Sequence, residues 1–223
     1  MALLSFVVRV KYRWSVIDHR EIRQQFRDEI REAAGPVMVC ANHLTMVDSV
    51  LIMWALAPSW WYLLHFKMVP WNVPERKNFA LNLLPRAGAY LAKCIPVIRG
   101  GDRAQISLVL KKLRYLLTHR HAVLMFPEGG RSRTGRVDGT NPALGTGRLI
   151  KGLPDARVLC VYLRGDHQEN YSNMPVHAES FYCATSWLEP RTEHQGLRGS
   201  VEISAQIMHR IQEMEGHYFD GRQ

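Results

Sequence analysis

Two hydrophobic rhythms alternate along the chain. Short apolar runs read as strands buried on both faces, and between them lie stretches whose apolar residues recur every three or four positions, as amphipathic helices require. The segment "DHREIRQQFRDEIREAAG" predicts a polar helix that stops at Gly35-Pro36. "VMVCA" then reads as a buried strand and "SVLIMWALA" as an apolar helix. "WWYLLHF" reads as a strand, and "KCIPVI" as another that Pro96 demotes toward an edge. In "GDRAQISLVLKKLRYLLTHR", Ile106, Val109, Leu110, Leu113 and Leu117 line one helical face, with Asp102 and Gln105 resembling a capping pair. "AVLMF", "ARVLCVYL" and "FYCATSW" read as further strands, and "VEISAQIMHRIQEME" as the last helix. Residues Asp166 to Val176 are polar and read as loop. This order predicts an α/β fold: a single domain with a central mixed, mostly parallel sheet flanked by helices and preceded by an amphipathic helical segment.

In the first seventeen residues Leu3, Val7, Val10, Trp14 and Ile17 recur at steps of four and three, with Arg9, Lys11 and Arg13 largely off that face. Such a helix either lies in a lipid interface or packs on the core of its own domain, and periodicity does not separate the two. The expected division is a helical, membrane-docking segment over 1–35 and a catalytic domain over 36–223. At 223 residues and 47% hydrophobic, the chain can bury a sizeable core. Its four cysteines are scattered, without zinc-type spacing or a disulfide framework, so no metal is expected and a reduced, cytosol-facing compartment is. No apolar run reaches the length of a membrane span, and the basic, short N-terminus does not read as a secretory signal. Lys plus Arg number 29 against 20 Asp plus Glu, which favours anionic partners without choosing among phosphorylated substrates, acidic membranes and nucleic acid.

Chemistry-bearing residues follow the strands. "NHLTMVD" follows "VMVCA", "RGGDR" follows "KCIPVI", "PEGGRSRTGR" follows "AVLMF", and "RGDH" follows "ARVLCVYL". Strand ends are where ligands sit in α/β sheets. Four residues separate His43 from Asp48, so a tight turn can bring the carboxylate back to the imidazole and fix its tautomer. The plainer alternative is that Asp48 caps the apolar helix. Glu128, Gly129, Arg131 and Ser132 sit in a loop where glycine permits close backbone approach and arginine offers forked donors to an anion. Its plainer alternative is a basic surface turn. Arg99 adds one cation at the end of its own run.

Together, "NHLTMVD", "IPVIRG" and "FPEGGRS" resemble, in order, the His-x4-Asp, arginine-bearing and Phe-Pro-Glu-Gly-Thr-Arg-Ser blocks of the glycerolipid acyltransferases, over roughly residues 36 to 165. The resemblance implies acyl transfer from an acyl-CoA or acyl-carrier-protein thioester to the hydroxyl of a lysophospholipid, with no cofactor. It assigns the base to His43 and its orientation to Asp48. The acceptor phosphate goes to Arg99 and Arg131, in a pocket ordered by Glu128 with Gly129 and Ser132. Such an acceptor arrives from a bilayer, so an anionic membrane surface on the cytoplasmic side is the expected partner. Trp14, Trp54, Trp60, Trp61 and Trp71, crowded in the first third, suit that boundary. Three departures keep the acceptor open: Gly130 replaces the usual Thr, "RVLCVYL" lacks the fourth block's proline, and Val69 to Gly88 match poorly. Another lysolipid acceptor is the alternative within the class. A non-catalytic, basic lipid- or nucleic-acid-binding protein is the alternative outside it; nucleic acid is disfavoured because the arginines cluster at strand-end loops.

Overall fold

A computed structural model of the chain describes residues 6–75, 90–98, 100–140 and 142–222. Six strands form one sheet: β1 (Ser15–Val16), β2 (Val37–Ala41), β3 (Trp71–Asn72), β4 (Val123–Met125), β5 (Arg157–Gly165) and β6 (Ser180–Leu188). Their order is β1-β6-β5-β2-β4-β3. β5 and β6 pair antiparallel and the other neighbours are parallel, so the sheet is mixed and mostly parallel. The helices are α1 (His19–Glu32), α2 (Asp48–Leu56), α3 (Ser59–Leu64), α4 (Arg103–Thr118), α5 (Leu144–Ile150) and α6 (Gly196–Asp220).

The uninterrupted apolar character of β2 and β5 follows from cover on both faces. Val39, Ala41, Leu159 and Val161 belong to one core cluster with Ile22 and Phe26 of α1, and Leu51, Ile52 and Trp54 of α2. Met38, Cys40, Val158, Cys160 and Tyr162 alternate with them and join Leu113 and Leu117 of α4 and Ile203, Ile207 and Ile211 of α6. The helix α2 is buried almost all round, which its sequence anticipates by being apolar on every face. In α4 the expected face turns inward, with Leu113 and Leu117 fully buried, and Asp102 caps its start by accepting from the Ala104 N–H at 3.1 Å.

Three expected elements differ. "WWYLLHF" is helical: it forms α3 and a 3₁₀ turn over Phe66–Met68. Pro58 precedes the helix and its carbonyl accepts from Trp61 N–H at 3.0 Å. Trp61 and Tyr62 are buried while Trp60, Leu63 and Leu64 are exposed, which is one turn of a helix with a single face inward. "KCIPVI" reduces to two isolated bridges, Cys94 to Asn72 and Val97 to Glu75, because Pro96 interrupts the donors a strand needs. The N-terminal run is a π-helical turn over Val7–Lys11 that leads into β1, with Arg13 in the left-handed region at φ 57°. That reversal breaks the expected stripe: Val8, Trp14 and Val16 are buried, and Val10 and Ile17 are exposed. Leu3 lies outside the described residues.

Leu113 and Leu108 sit on opposite sides of α4, the first fully buried and the second 54% exposed. Leu113→Ala is expected to lower unfolding free energy by about 2–5 kcal/mol and Leu108→Ala by about 0.5 kcal/mol or less, read by denaturant titration.

Candidate active site

β4, β2 and β5 are adjacent and parallel, so the loops after their C-terminal ends converge at one edge of the sheet. The loop after β2 carries His43 and Asp48, and the loop after β4 carries Glu128 to Ser132. Residues 166–173, after β5, brace both. Asn42 ties the end of β2 to β5: its amide donates to Leu163 O (2.9 Å) and accepts from Leu163 N–H (2.8 Å).

His43 and Asp48 are in direct contact, Nδ1 to Oδ2 at 2.9 Å. The Asp48 carboxylate also accepts from the N–H groups of Leu44 (2.7 Å) and Thr45 (2.8 Å) and from the Thr45 hydroxyl. Asp48 is thus both the first residue of α2 and the organiser of the turn before it. A carboxylate oxygen accepts, so Nδ1 carries the imidazole proton and Nε2 presents its lone pair. The imidazole stacks on Phe126, with ring centroids 4.0 Å apart and planes 14° off parallel.

Glu128 reaches across to the first loop. Its Oε1 accepts from the His43 N–H at 3.0 Å and its Oε2 from the Asp138 N–H at 3.3 Å. Among the described residues its hydrogen bonds are thus to backbone N–H groups of the two loops. Burial pushes its carboxyl up to about 7; the two N–H donors pull the other way, and Glu215 and Asp138 add to the rise. Gly129 sits at φ +69°, the left-handed conformation that turns the chain after Glu128. Ser132 is buried: its N–H donates to His43 O at 2.9 Å and its hydroxyl to Arg136 O. Arg131 donates through Nη1 to Ser172 O (3.1 Å) and Asn173 Oδ1 (3.0 Å), with its guanidinium 5.2 Å from the centre of the Tyr171 ring. Among the described residues, its Nε and Nη2 protons take part in no hydrogen bond, so the guanidinium keeps donors for an anion. Arg99 lies outside the described residues.

A cavity of about 600 Å³ opens beside these groups, lined by His43, Phe126 and Arg131 on one side and by Tyr62, Phe66 and Val69 among others on the far wall. A larger crevice of about 820 Å³ lies at the opposite end of the sheet, between Lys151–Leu153 and Pro190–Gln195, and holds none of the candidate residues. The candidate residues His43 and Arg131 line the smaller one.

Several contributors escape the sequence reading. Lys93 lines the cavity and is buried, its ammonium donating to Phe66 O (2.6 Å) and Val69 O (2.9 Å); burial lowers its pKa to about 8. Arg164, buried at the end of β5, donates to Gly135 O and to Gln168 O, joining the loop after β4 to the loop after β5. Glu215 of α6 accepts from Val137 N–H with both oxygens at 3.1 Å. Thr45 had a faint signal, three residues before Asp48, the spacing of a side chain sharing a helix start. The others had none, because their partners are backbone carbonyls and N–H groups distant in sequence.

The strand ends of this α/β sheet thus carry a histidine–carboxylate pair, a cation and an apolar cavity together. The acyltransferase family model matches residues 21–187, and the chain belongs to that family. Its substrates are thus an acyl donor and a lipid acceptor. No curated protein matches the chain. Among the described residues no helix is long and apolar enough to cross a membrane.

Raised by burial, the Glu128 carboxyl favours the folded state only while protonated. That contribution is complete below its ordinary value of 4.5 and disappears as pH rises through about 7. The stability of the parent relative to Glu128→Gln is therefore expected to fall by roughly 1–3 kcal/mol between these pH values and then level off. Denaturant titrations of both proteins across the range measure it.

Proposed function

We propose that the protein moves a fatty acyl group from an acyl-CoA or acyl-carrier-protein thioester to the free hydroxyl of a lysophospholipid. The acceptor proposed is 1-acyl-sn-glycerol-3-phosphate, giving phosphatidic acid. The observation that carries this reading is the 2.9 Å contact of His43 Nδ1 with Asp48, in a cavity that Arg131 also lines.

His43 Nε2 takes the proton of the acceptor hydroxyl as its oxygen attacks the thioester carbonyl. Asp48 holds the tautomer and stabilises the imidazolium. The tetrahedral intermediate then expels the thiolate, which receives the proton from His43. A thioester is reactive enough that no covalent enzyme intermediate is needed. Arg131, with Arg99, holds the acceptor phosphate; Glu128, Gly129 and Ser132 shape the loop that presents Arg131. In this reading residues 1–35 face the membrane, with Phe6, Arg9, Val10 and Lys11 exposed, and 36–223 form the catalytic domain. The enzyme rests on the cytoplasmic face without spanning it. Gly130, in place of the threonine of the resembling motif, is what favours the second reading, transfer to another lysolipid acceptor.

Purified protein, offered each thioester with a panel of lysolipids, is expected to yield phosphatidic acid by mass spectrometry. His43→Ala should lower kcat about 100- to 10,000-fold with folding intact, and Asp48→Asn should reduce kcat more than it raises KM. Activity of His43→Ala within a few-fold of the parent refutes the base assignment. Arg131→Ala is expected to raise KM for a phosphate-bearing acceptor roughly ten- to a hundred-fold, leaving donor KM and phosphate-free acceptors little changed. A parent that prefers phosphate-free lysolipids overturns the phosphate role in favour of the second reading.

A further inference from the structure

Of the five tryptophans in the first third of the chain, Trp14, Trp54, Trp61 and Trp71 are buried, and Trp60 alone is exposed, at 57%. It does not stand alone on the surface. One turn further along α3, Leu63 and Leu64 are 73% and 75% exposed, and Phe66 in the next turn is 61% exposed. Across the cavity mouth Tyr90 and Leu91 are 65% and 80% exposed. Leu63, Phe66 and Leu91 line the cavity that contains His43, so the exposed face and the cavity are one continuous apolar surface. Large contiguous apolar patches of this kind mark interaction sites on proteins otherwise covered by polar groups.

Charge says what covers it. Lys67 and Arg120 line the neighbouring shallow groove with Leu64 and Phe66, and Lys93 and Arg131 line the cavity itself. Against these four cations, Glu75 is the only carboxylate lining either space among the described residues. Lys67 reaches outward over the loop to His119 O at 3.3 Å, and Lys93 fixes Phe66 from beneath, its ammonium 4.1 Å from the ring centroid. Apolar side chains flanked by cations, with an exposed Trp and Tyr at the rim, match the boundary of an anionic bilayer: acyl chains meet the leucines, and headgroups meet the lysine and arginine.

We infer that α3, the 3₁₀ turn after it and the Tyr90–Leu91 rim form the face that seats on an anionic lipid bilayer, delivering a lipid from the membrane directly into the cavity. This rests on the acyl-transfer reading for what the cavity does with the lipid. The seating itself is a separate property, measured without any acyl donor.

The test is co-sedimentation of the full chain with vesicles of phosphatidylcholine alone and of phosphatidylcholine mixed with phosphatidylglycerol. Trp60→Glu/Leu64→Glu alters two exposed positions that do not line the cavity. This pair should bind mixed vesicles at least about tenfold more weakly than the parent, while keeping the parent's melting temperature and its turnover of a short-chain, water-soluble acceptor. The milder Trp60→Ser/Leu64→Ser pair should move binding in the same direction and guards against a folding defect. Lys67→Ala should reduce the preference for anionic vesicles by about fivefold and hardly alter binding to neutral ones. Unchanged vesicle binding by both double variants overturns the inference. So does a lipid-free parent dimer that the double variants dissociate without loss of vesicle binding, since the face would then belong to a second copy of the chain. Loss of acyl transfer in every assay with vesicle binding still dependent on Trp60 and Leu64 would remove the reaction and leave the docking face standing.

Discussion

The Asp48 carboxylate accepts from four donors within six residues: the imidazole of His43, the N–H groups of Leu44 and Thr45, and the Thr45 hydroxyl. Residues between a buried strand and a buried helix must satisfy their backbone donors, and this side chain does it for Leu44 and Thr45, while Glu128 takes the His43 N–H and Asn173 O the Met46 N–H. The same bonds set the imidazole. Oδ2 serves both Nδ1 and the two N–H groups, so the oxygen fixed by the turn is the one that the ring meets. Asp48 opens α2 without capping it: its carboxylate turns back to the residues before the helix, while the Val50 and Leu51 N–H groups bond to Val47 O.

Around that turn the fold supplies rigidity through backbone groups. Ser132 N–H holds His43 O, Glu128 holds His43 N–H, and Ser172 N–H holds Leu44 O. The loop after β4 is clamped in turn by Glu215 from α6 and Arg164 from β5. Arg131 is steadied by Ser172 and Asn173, whose segment also pairs with Thr45 and Met46. His43 and Arg131 are thus registered against each other by a shared loop, although they follow different strands. The cavity's outer wall is built differently. There Lys93 ties the turn at Phe66 and Val69 to the 90–94 segment, so a buried cation organises a surface that is otherwise apolar.

Much of this was legible in the residues themselves. Buried strands such as β2 and β5 declare themselves as apolar runs because both faces are covered, and α4 declares itself because one face is not. The His43–Asp48 relation was legible because it is local: six residues in a tight turn leave the two side chains few other places to meet. Where the sequence misled, a tertiary partner decided. "WWYLLHF" is apolar enough for either a strand or a helix, and the choice fell to helix because only Trp61 and Tyr62 have a core to enter. The N-terminal stripe fits a helix by spacing, but Ser15 and Val16 find parallel pairing with Ser180 and Phe181, and Trp14 follows them inward. Local pattern therefore determined β2, β4, β5 and β6, the long helices and the histidine–carboxylate pair. The cavity, the braces on Glu128 and Arg131, and the single exposed tryptophan at its mouth were decided only when segments far apart in the chain closed on one another, because each depends on a donor, acceptor or core that its own neighbourhood does not contain.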